Sequence, residues 1–338
     1  MADLLLAPIN ARLLDSQGYL LASLAMSWIG FLWMGFIFLY VCLALPLDGY
    51  HLLVRAGQRL TNVDWTGLML SRRQSAGLIA VLSMGLMVYG SIEAYRIRVE
   101  TLAIDDSRLP PKSSRIRIVQ ISDVHLGPML YPGRLEPIIE AVKQAQPDIL
   151  VCSGDLIDGP LLNPAGTAAA FSNLTAPLGK YAVTGNHEFY YGIDRATEFI
   201  KATGFTLLRN RTVMAGKQIA ITGVDDPAGG HAADPQTEAQ LAAGLPKNKF
   251  ALLLKHRPVI DPDTKGAFDL QLSGHTHQGQ IFPFGFLIRL LYPQDHGWHR
   301  IDDHGHLYIS RGTGTWGPPI RILAPPEITV IDLIPGGQ

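Results

Sequence analysis

Residues 149–158 read Ile-Leu-Val-Cys-Ser-Gly-Asp-Leu-Ile-Asp: a short apolar run that stops at a glycine and opens into two acids. Runs of this kind, bounded by turn formers, read as buried strands. The same design recurs on both sides. Ile116–Ser122 leads into Asp123-Val124-His125, Tyr181–Thr184 into Gly185-Asn186-His187-Glu188, Ala251–Lys255 into His256, and Leu270–Ser273 into Gly274-His275-Thr276-His277. Gln218–Val224, Leu307–Ser310 and Ile328–Leu333 have strand character without a loaded turn. Arg134–Gln144, Arg195–Ala202 and Thr237–Ala243 carry apolar residues at helical spacing. The pattern is α/β, and the thinning of helices between the later strands predicts more than one sheet.

Farther toward the N-terminus the chemistry changes. Residues 16–47 contain no Asp, Glu, Lys or Arg, and residues 74–92 form a second uncharged run. A bilayer core takes roughly 20 helical residues to cross, so both runs predict transmembrane helices, at about 18–47 and 74–92. Tyr19 and Tyr50 near the ends of the first run suit the membrane interface. The division expected is a membrane anchor at 1–92, a linker at 93–114 rich in charge and turn formers, and a soluble domain at 115–338. Arg55, Arg59, Arg72 and Arg73 favour a cytoplasmic loop at 48–73, which leaves the soluble domain extracytoplasmic; Arg96, Arg98 and Arg108 weigh the other way.

The 338 residues carry a net charge of −1. Residues 1–100 hold seven arginines against six acids, which leaves 21 bases against 23 acids for the rest. A nucleic-acid binder carries a clear basic excess, so no nucleic-acid partner is expected. The two cysteines, Cys42 and Cys152, suggest no disulfide framework.

In an extended chain residues i and i+2 face the same way, so Asp123 with His125, and His275 with His277, can each aim two donors at one point. Glycines 154, 185 and 274 let the backbone turn sharply beside them. Carboxylates, imidazoles and an amide carbonyl, with no thiolate, suit divalent or trivalent ions such as Mn, Fe, Zn or Co. A carboxylate such as Asp155 can bridge two ions roughly 3.5–4 Å apart, with a hydroxide held between them.

At these residues the sequence closely resembles the calcineurin-like metallophosphoesterase superfamily, whose Asp-x-His, Gly-Asp-x-x-Asp, Gly-Asn-His-Asp/Glu, lone His and Gly-His-x-His motifs it matches in order. The likeness runs from about Ile116 to Leu333. It is nearest to the bacterial branch with membrane-anchored or exported members, because Ser310-Arg311-Gly312 and Pro325-Pro326-Glu327-Ile328-Thr329 are also similar. Gln278 departs from that branch, which commonly has glycine there. The resemblance implies a two-sheet αββα sandwich, here preceded by two transmembrane helices. It implies that Asp123, His125, Asp155 and His277 hold one metal, and Asp155, Asn186, His256 and His275 the other. It makes His187 the catalytic acid, and Asp158 and Glu188 the groups that orient imidazoles.

The expected function is hydrolysis of a phosphomonoester or phosphodiester, lipid-linked esters included, by a multi-pass protein of the cell membrane; the oligomeric state is left open. The alternatives are a two-metal nuclease, which the negative charge disfavours, and a catalytically silent binding protein, which the complete ligand set disfavours. Two spans without an intramembrane acid or base speak against a transporter. His296, His299, His304 and His306 are expected on a solvated loop at the pocket rim and His231 on another loop. Arg311 suits a phosphate contact or a structural ion pair equally well.

Overall fold

The computed structural model describes residues 6–109, 115–129, 132–233 and 235–336. They fall into two units, one formed by residues 6–93 with Gly317–Ile322 and the other by Ala94–Trp316 with the chain from Leu323 onward.

The first unit is helical: α1 (Ala7–Ser16), α2 (Leu20–Thr61) and α3 (Arg72–Glu93). Both α2 and the segment containing α3 are long and apolar enough to cross a membrane. The α2 helix runs well beyond the apolar stretch read from sequence. It passes through Pro46 and continues across Asp48, Arg55 and Arg59, because charged side chains end an apolar run without ending helical hydrogen bonding. Gly317–Ile322 packs on these helices: a Cβ on Gly35 would lie 3.1 Å from the Pro318 side chain, and the Arg321 amide donates to the Gly90 carbonyl at 2.9 Å.

The second unit is a sandwich of two six-stranded sheets. The first sheet has the order β1-β12-β2-β3-β4-β5, with β1 Arg98–Asp106, β2 Ile116–Ile121, β3 Ile149–Cys152, β4 Lys180–Ala182, β5 Thr206–Leu207 and β12 Glu327–Pro335. The second has the order β10-β11-β9-β8-β7-β6, with β6 Arg211–Ala215, β7 Ile219–Gly223, β8 Phe250–Leu254, β9 Leu270–Ser273, β10 Gly297–Arg300 and β11 His306–Ile309. Alternation sorts the side chains: Ile118, Ile149 and Val151 from one sheet meet Ile221, Leu252 and Leu272 from the other. The opposite face of the first sheet packs under α4 (Pro132–Ala145), α5 (Pro164–Ser172) and α7 (Ile193–Ala202), which follows α6 (Asn186–Tyr191). The second sheet's outer face packs under α8 (Pro235–Ala243), through Leu253 and Phe268 against Leu241. This is the αββα arrangement.

Two expectations are corrected. The stretch 93–114 is not a linker throughout, since residues 98–106 form β1, paired in parallel with β12. Its residues alternate between exposed and half-buried, and the charges at Arg98, Glu100 and Asp105 on an edge strand mask the strand period. The histidine-rich segment 296–306 is not simply a loop either, because β10 pairs antiparallel with β11. His231 lies in the 3₁₀ segment Pro227–Ala233.

Candidate metal centre

Every loaded turn leaves the carboxyl end of its strand, β2, β3, β4, β8 or β9, and the parallel pairing of β2, β3 and β4, and of β7, β8 and β9, brings these ends together. Asp123, His125 and His277 offer ligand atoms within 4.8 Å of one another, and so do Asp155, His256 and His275. Asp155 lies between the groups: its Oδ2 is 3.1 Å from His256 Nε2 and 3.8 Å from His125 Nε2.

The local backbone differs from the extended one assumed above. Asp123, His125, Asp155, His275 and His277 all have φ between 49° and 74°. A left-handed conformation at a residue other than glycine costs of order 1–3 kcal/mol, and its clustering here marks a site whose surroundings hold it in place. Glycine is needed where the turns nearly touch. A Cβ on Gly185 would sit 2.2 Å from Asp155 Oδ1, and one on Gly274 2.1 Å from Asp123 Oδ2.

Hydrogen bonds aim the donors inward. Asp158 Oδ2 accepts from His125 Nδ1 at 3.0 Å, and the Ser153 carbonyl accepts from His256 Nδ1 at 2.9 Å, which turns each Nε2 toward the cluster. The His187 amide donates to Asp155 Oδ1 at 2.9 Å, and the His275 amide to Asp123 Oδ1 at 3.0 Å. Glu188 does not orient an imidazole. Its carboxylate accepts from the amides of Asp155, Ile157 and Gly185, and so fixes the turn rather than a ligand.

The charges are those of a cation site. Burial would raise both Asp123 and Asp155, yet His277 and His256 hold the two carboxyls well below the usual range. Burial opposes charge on His256, but Asp155 outweighs it and pushes the imidazole up to about 10. Burial and the adjacent His256 push His275 down to about 4. Paired nitrogens make the same point: His125 Nε2 and His277 Nε2 are 3.0 Å apart, and His275 Nδ1 and His256 Nε2 3.2 Å. Asn186 Oδ1 is buried without a hydrogen-bond partner among the described residues. A buried amide oxygen left unpaired is costly, and coordination of a cation would satisfy it.

His187 stands beside this cluster, edge-on to His125 with ring centroids 4.7 Å apart and Nδ1 3.8 Å from Asp158 Oδ2. Burial pushes its imidazole below the ordinary value. Three neighbours escape the sequence motifs. Tyr292 packs edge-on against His275, Trp316 lies near His187, and His296, held by Asp295, meets the Gln278 side chain at 3.3 Å. None lies on a motif-bearing strand end, so no spacing announces them. Arg311 is spent on ion pairs with Glu327 and Glu100.

Residues 116–279 match the family described as calcineurin-like phosphoesterase. A metallophosphoesterase of Aquifex aeolicus is 37% identical over 259 residues, covering 75% of this chain and 97% of its own. A Danio rerio protein named as a transmembrane protein with metallophosphoesterase domain is 30% identical over 341 residues, 95% of this chain and 75% of its own. Among solved structures, the 5'-nucleotidase precursor of Thermus thermophilus is similar with a TM-score of 0.39 at 15% identity, over 65% of this chain and 54% of that one. The chain belongs to the calcineurin-like metallophosphoesterase family and is a metal-dependent hydrolase of phosphoesters.

Proposed function

We propose that this protein hydrolyses a phosphomonoester or phosphodiester at a dinuclear centre, on the extracytoplasmic side of a membrane that its own chain crosses twice. Asp123, His125, Asp155 and His277 hold one ion, and Asp155, Asn186, His256 and His275 the other, the ions being drawn from Mn, Fe, Zn and Co. The position of Asp155 Oδ2, within 3.8 Å of imidazoles from both groups, carries this reading.

When bound, the ions supply Lewis acidity to the phosphoryl oxygens and to water. The chain does the rest. Asp158 fixes the tautomer of His125 by accepting from its Nδ1, and the Ser153 carbonyl does the same for His256. His187, its side chain only 12% exposed, is the group placed to give a proton to the departing ester oxygen, and its lowered value makes it the readier donor once protonated.

The full-length chain, purified in detergent and supplied separately with each candidate ion, should cleave p-nitrophenyl or bis-p-nitrophenyl phosphate and carry two metal equivalents by elemental analysis. A fully active enzyme with a single equivalent would overturn the dinuclear assignment. Labelling of a cysteine placed at the exposed Lys217 by an impermeant maleimide tests sidedness: reaction in intact cells is expected, and reaction only after lysis reverses the topology.

A further inference from the structure

The turn that carries His277 leads into a short helix, α9 (Gly285–Leu291), of sequence Gly-Phe-Leu-Ile-Arg-Leu-Leu. None of its residues is buried. Phe286 is 60% exposed, Leu287 55%, Leu290 79% and Leu291 74%, and Phe282 packs edge-on against Phe286 at 5.6 Å, itself half exposed. Single exposed leucines need no explanation. A contiguous apolar patch does, because water-facing surfaces seldom keep one without a partner.

The patch is bound to the metal centre at both ends. At its start Gly279, with φ +76°, lies so close to Gly285 that a Cβ there would come within 2.3 Å of the Gly285 Cα. At its end Tyr292 packs against His275 at 5.4 Å, and Arg289 pairs with Asp295 at 3.0 Å. Whatever covers α9 therefore lies beside the candidate ligands His275 and His277.

The chain itself indicates the cover. It carries two helices long and apolar enough to span a bilayer. Trp316, half exposed near His187, has its amide and carbonyl both bonded to the Gln280 side chain at 2.8 Å. The next residue begins the stretch Gly317–Ile322 that packs on the helices of the first unit. The segment bonded to the Gln280 turn thus runs without a break into the one that packs on the long apolar helices. Phe and Leu around one Arg is a composition for the headgroup and upper acyl region.

We propose that α9 is an interfacial helix, with Phe286, Leu287, Leu290 and Leu291 seated in the bilayer, and that the phosphoesters reaching the centre are carried on lipids in that leaflet. The substrate half rests on the dinuclear esterase reading above; the placement of α9 does not.

The test uses the full chain in phosphatidylcholine nanodiscs doped with phosphatidic acid or phosphatidylglycerol. A nitroxide on Leu290→Cys, in a Cys42→Ala background, reports position by power saturation; Cys152, fully buried, stays unlabelled. Relaxation by oxygen should exceed relaxation by a nickel chelate. The double variant Phe286→Ser/Leu290→Ser should lose at least about tenfold in rate on the doped lipid, since each apolar side chain withdrawn from the bilayer weakens seating. Its rate on the matching soluble nitrophenyl ester should stay unchanged. Greater access for nickel overturns the proposal, and so does spin–spin broadening without oxygen access, which would make a second copy of the chain the cover. Equal losses on lipid and soluble ester would make α9 a mere support for the site. A wild-type chain that cleaves neither ester defeats the esterase reading, and the nitroxide still decides where α9 lies.

Discussion

The two sheets bring unlike chemistry to one cluster. Turns of the first supply Asp123, His125, Asp155 and Asn186, with Asp158 and Glu188 behind them, whereas those of the second supply only the imidazoles of His256, His275 and His277. All the negative charge therefore comes from one side. It is also the side stitched by backbone donors, through the amides of His187 and His275 on Asp155 and Asp123. On the proposed assignment an imidazole from the second sheet is one neutral ligand for one ion. Asp155 is a charge that faces both groups. Asp155→Asn should thus have the largest effect on activity, a loss on the order of 10³-fold or more, because stripping the partner from a buried charge costs about 3–5 kcal/mol. Elemental analysis should show both ions depleted. Near-normal rate with full occupancy would remove the asymmetry between the sheets.

His187 sharpens the comparison from the other side, since it is an imidazole supplied by the anionic sheet and is assigned to no ion. Asn186, one residue earlier, is the candidate ligand from this turn, its Oδ1 buried without a hydrogen-bond partner among the described residues. His187→Ala should keep its metals and lose about 10²-fold or more on an alkyl phosphoester, the usual contribution of a general acid. On a nitrophenyl ester, whose leaving group departs unprotonated, the loss should be much smaller. Equal losses on both esters, or a missing ion, would make His187 a positioning residue.

The same contrast explains what the sequence reveals. Strands β2, β3, β8 and β9 are almost wholly buried, so their runs stay mostly apolar, interrupted at Arg117, Gln120 and Gln271, and end close to an Asp, Gly or His; each is readable to within about a residue. The candidate ligands sit at those ends, and in the case of Asn186 past the end of β4, and are readable with them. What escapes reading lies at edges. β1 carries Arg98, Glu100 and Asp105 along an edge, β10 is Gly-Trp-His-Arg, and β5 has two residues, too few to show a period. The left-handed φ at five candidate ligands is also hidden, because no residue type demands it there; the convergence of packed strands imposes it. Glu188 misleads for the same reason, as its role depends on three amides from two separate turns.

Asp158 gives a smaller effect than either residue above. It touches His125 through Nδ1 and stands 3.8 Å from His187, so it acts on the anionic half at one remove. Removing such a hydrogen-bonded support usually costs 10–100-fold in metal affinity or activity, and Asp158→Asn should fall in about that range. Metal titration should recover most of the rate if the loss lies in His125 orientation. A defect that excess metal leaves untouched would place the role of Asp158 with His187.

The smallest effect concerns how the first sheet is held rather than what it carries. Arg117 on β2 donates to both oxygens of Asp332 on β12, at 2.7 and 2.8 Å, on a strand that bears Asp123 only past its far terminus. These hydrogen bonds to Arg117, with its charge, keep the Asp332 carboxyl below its ordinary value of 3.8. A carboxyl depressed in the folded chain stabilises the fold fully above that ordinary value, and the contribution fades as pH falls through the lower folded one. Asp332→Asn, which cannot ionise, should lower Tm by about 2–4 °C near neutrality, as expected for roughly 1 kcal/mol in a domain of this size. The gap should narrow as the pH is brought below 3.8. Thermal scanning of both proteins in chelator at each pH reads this directly, while activity at neutral pH stays unchanged. A gap that is constant with pH would assign the loss to packing of the amide rather than to the ion pair, and would leave β2 held to β12 by its backbone ladder alone.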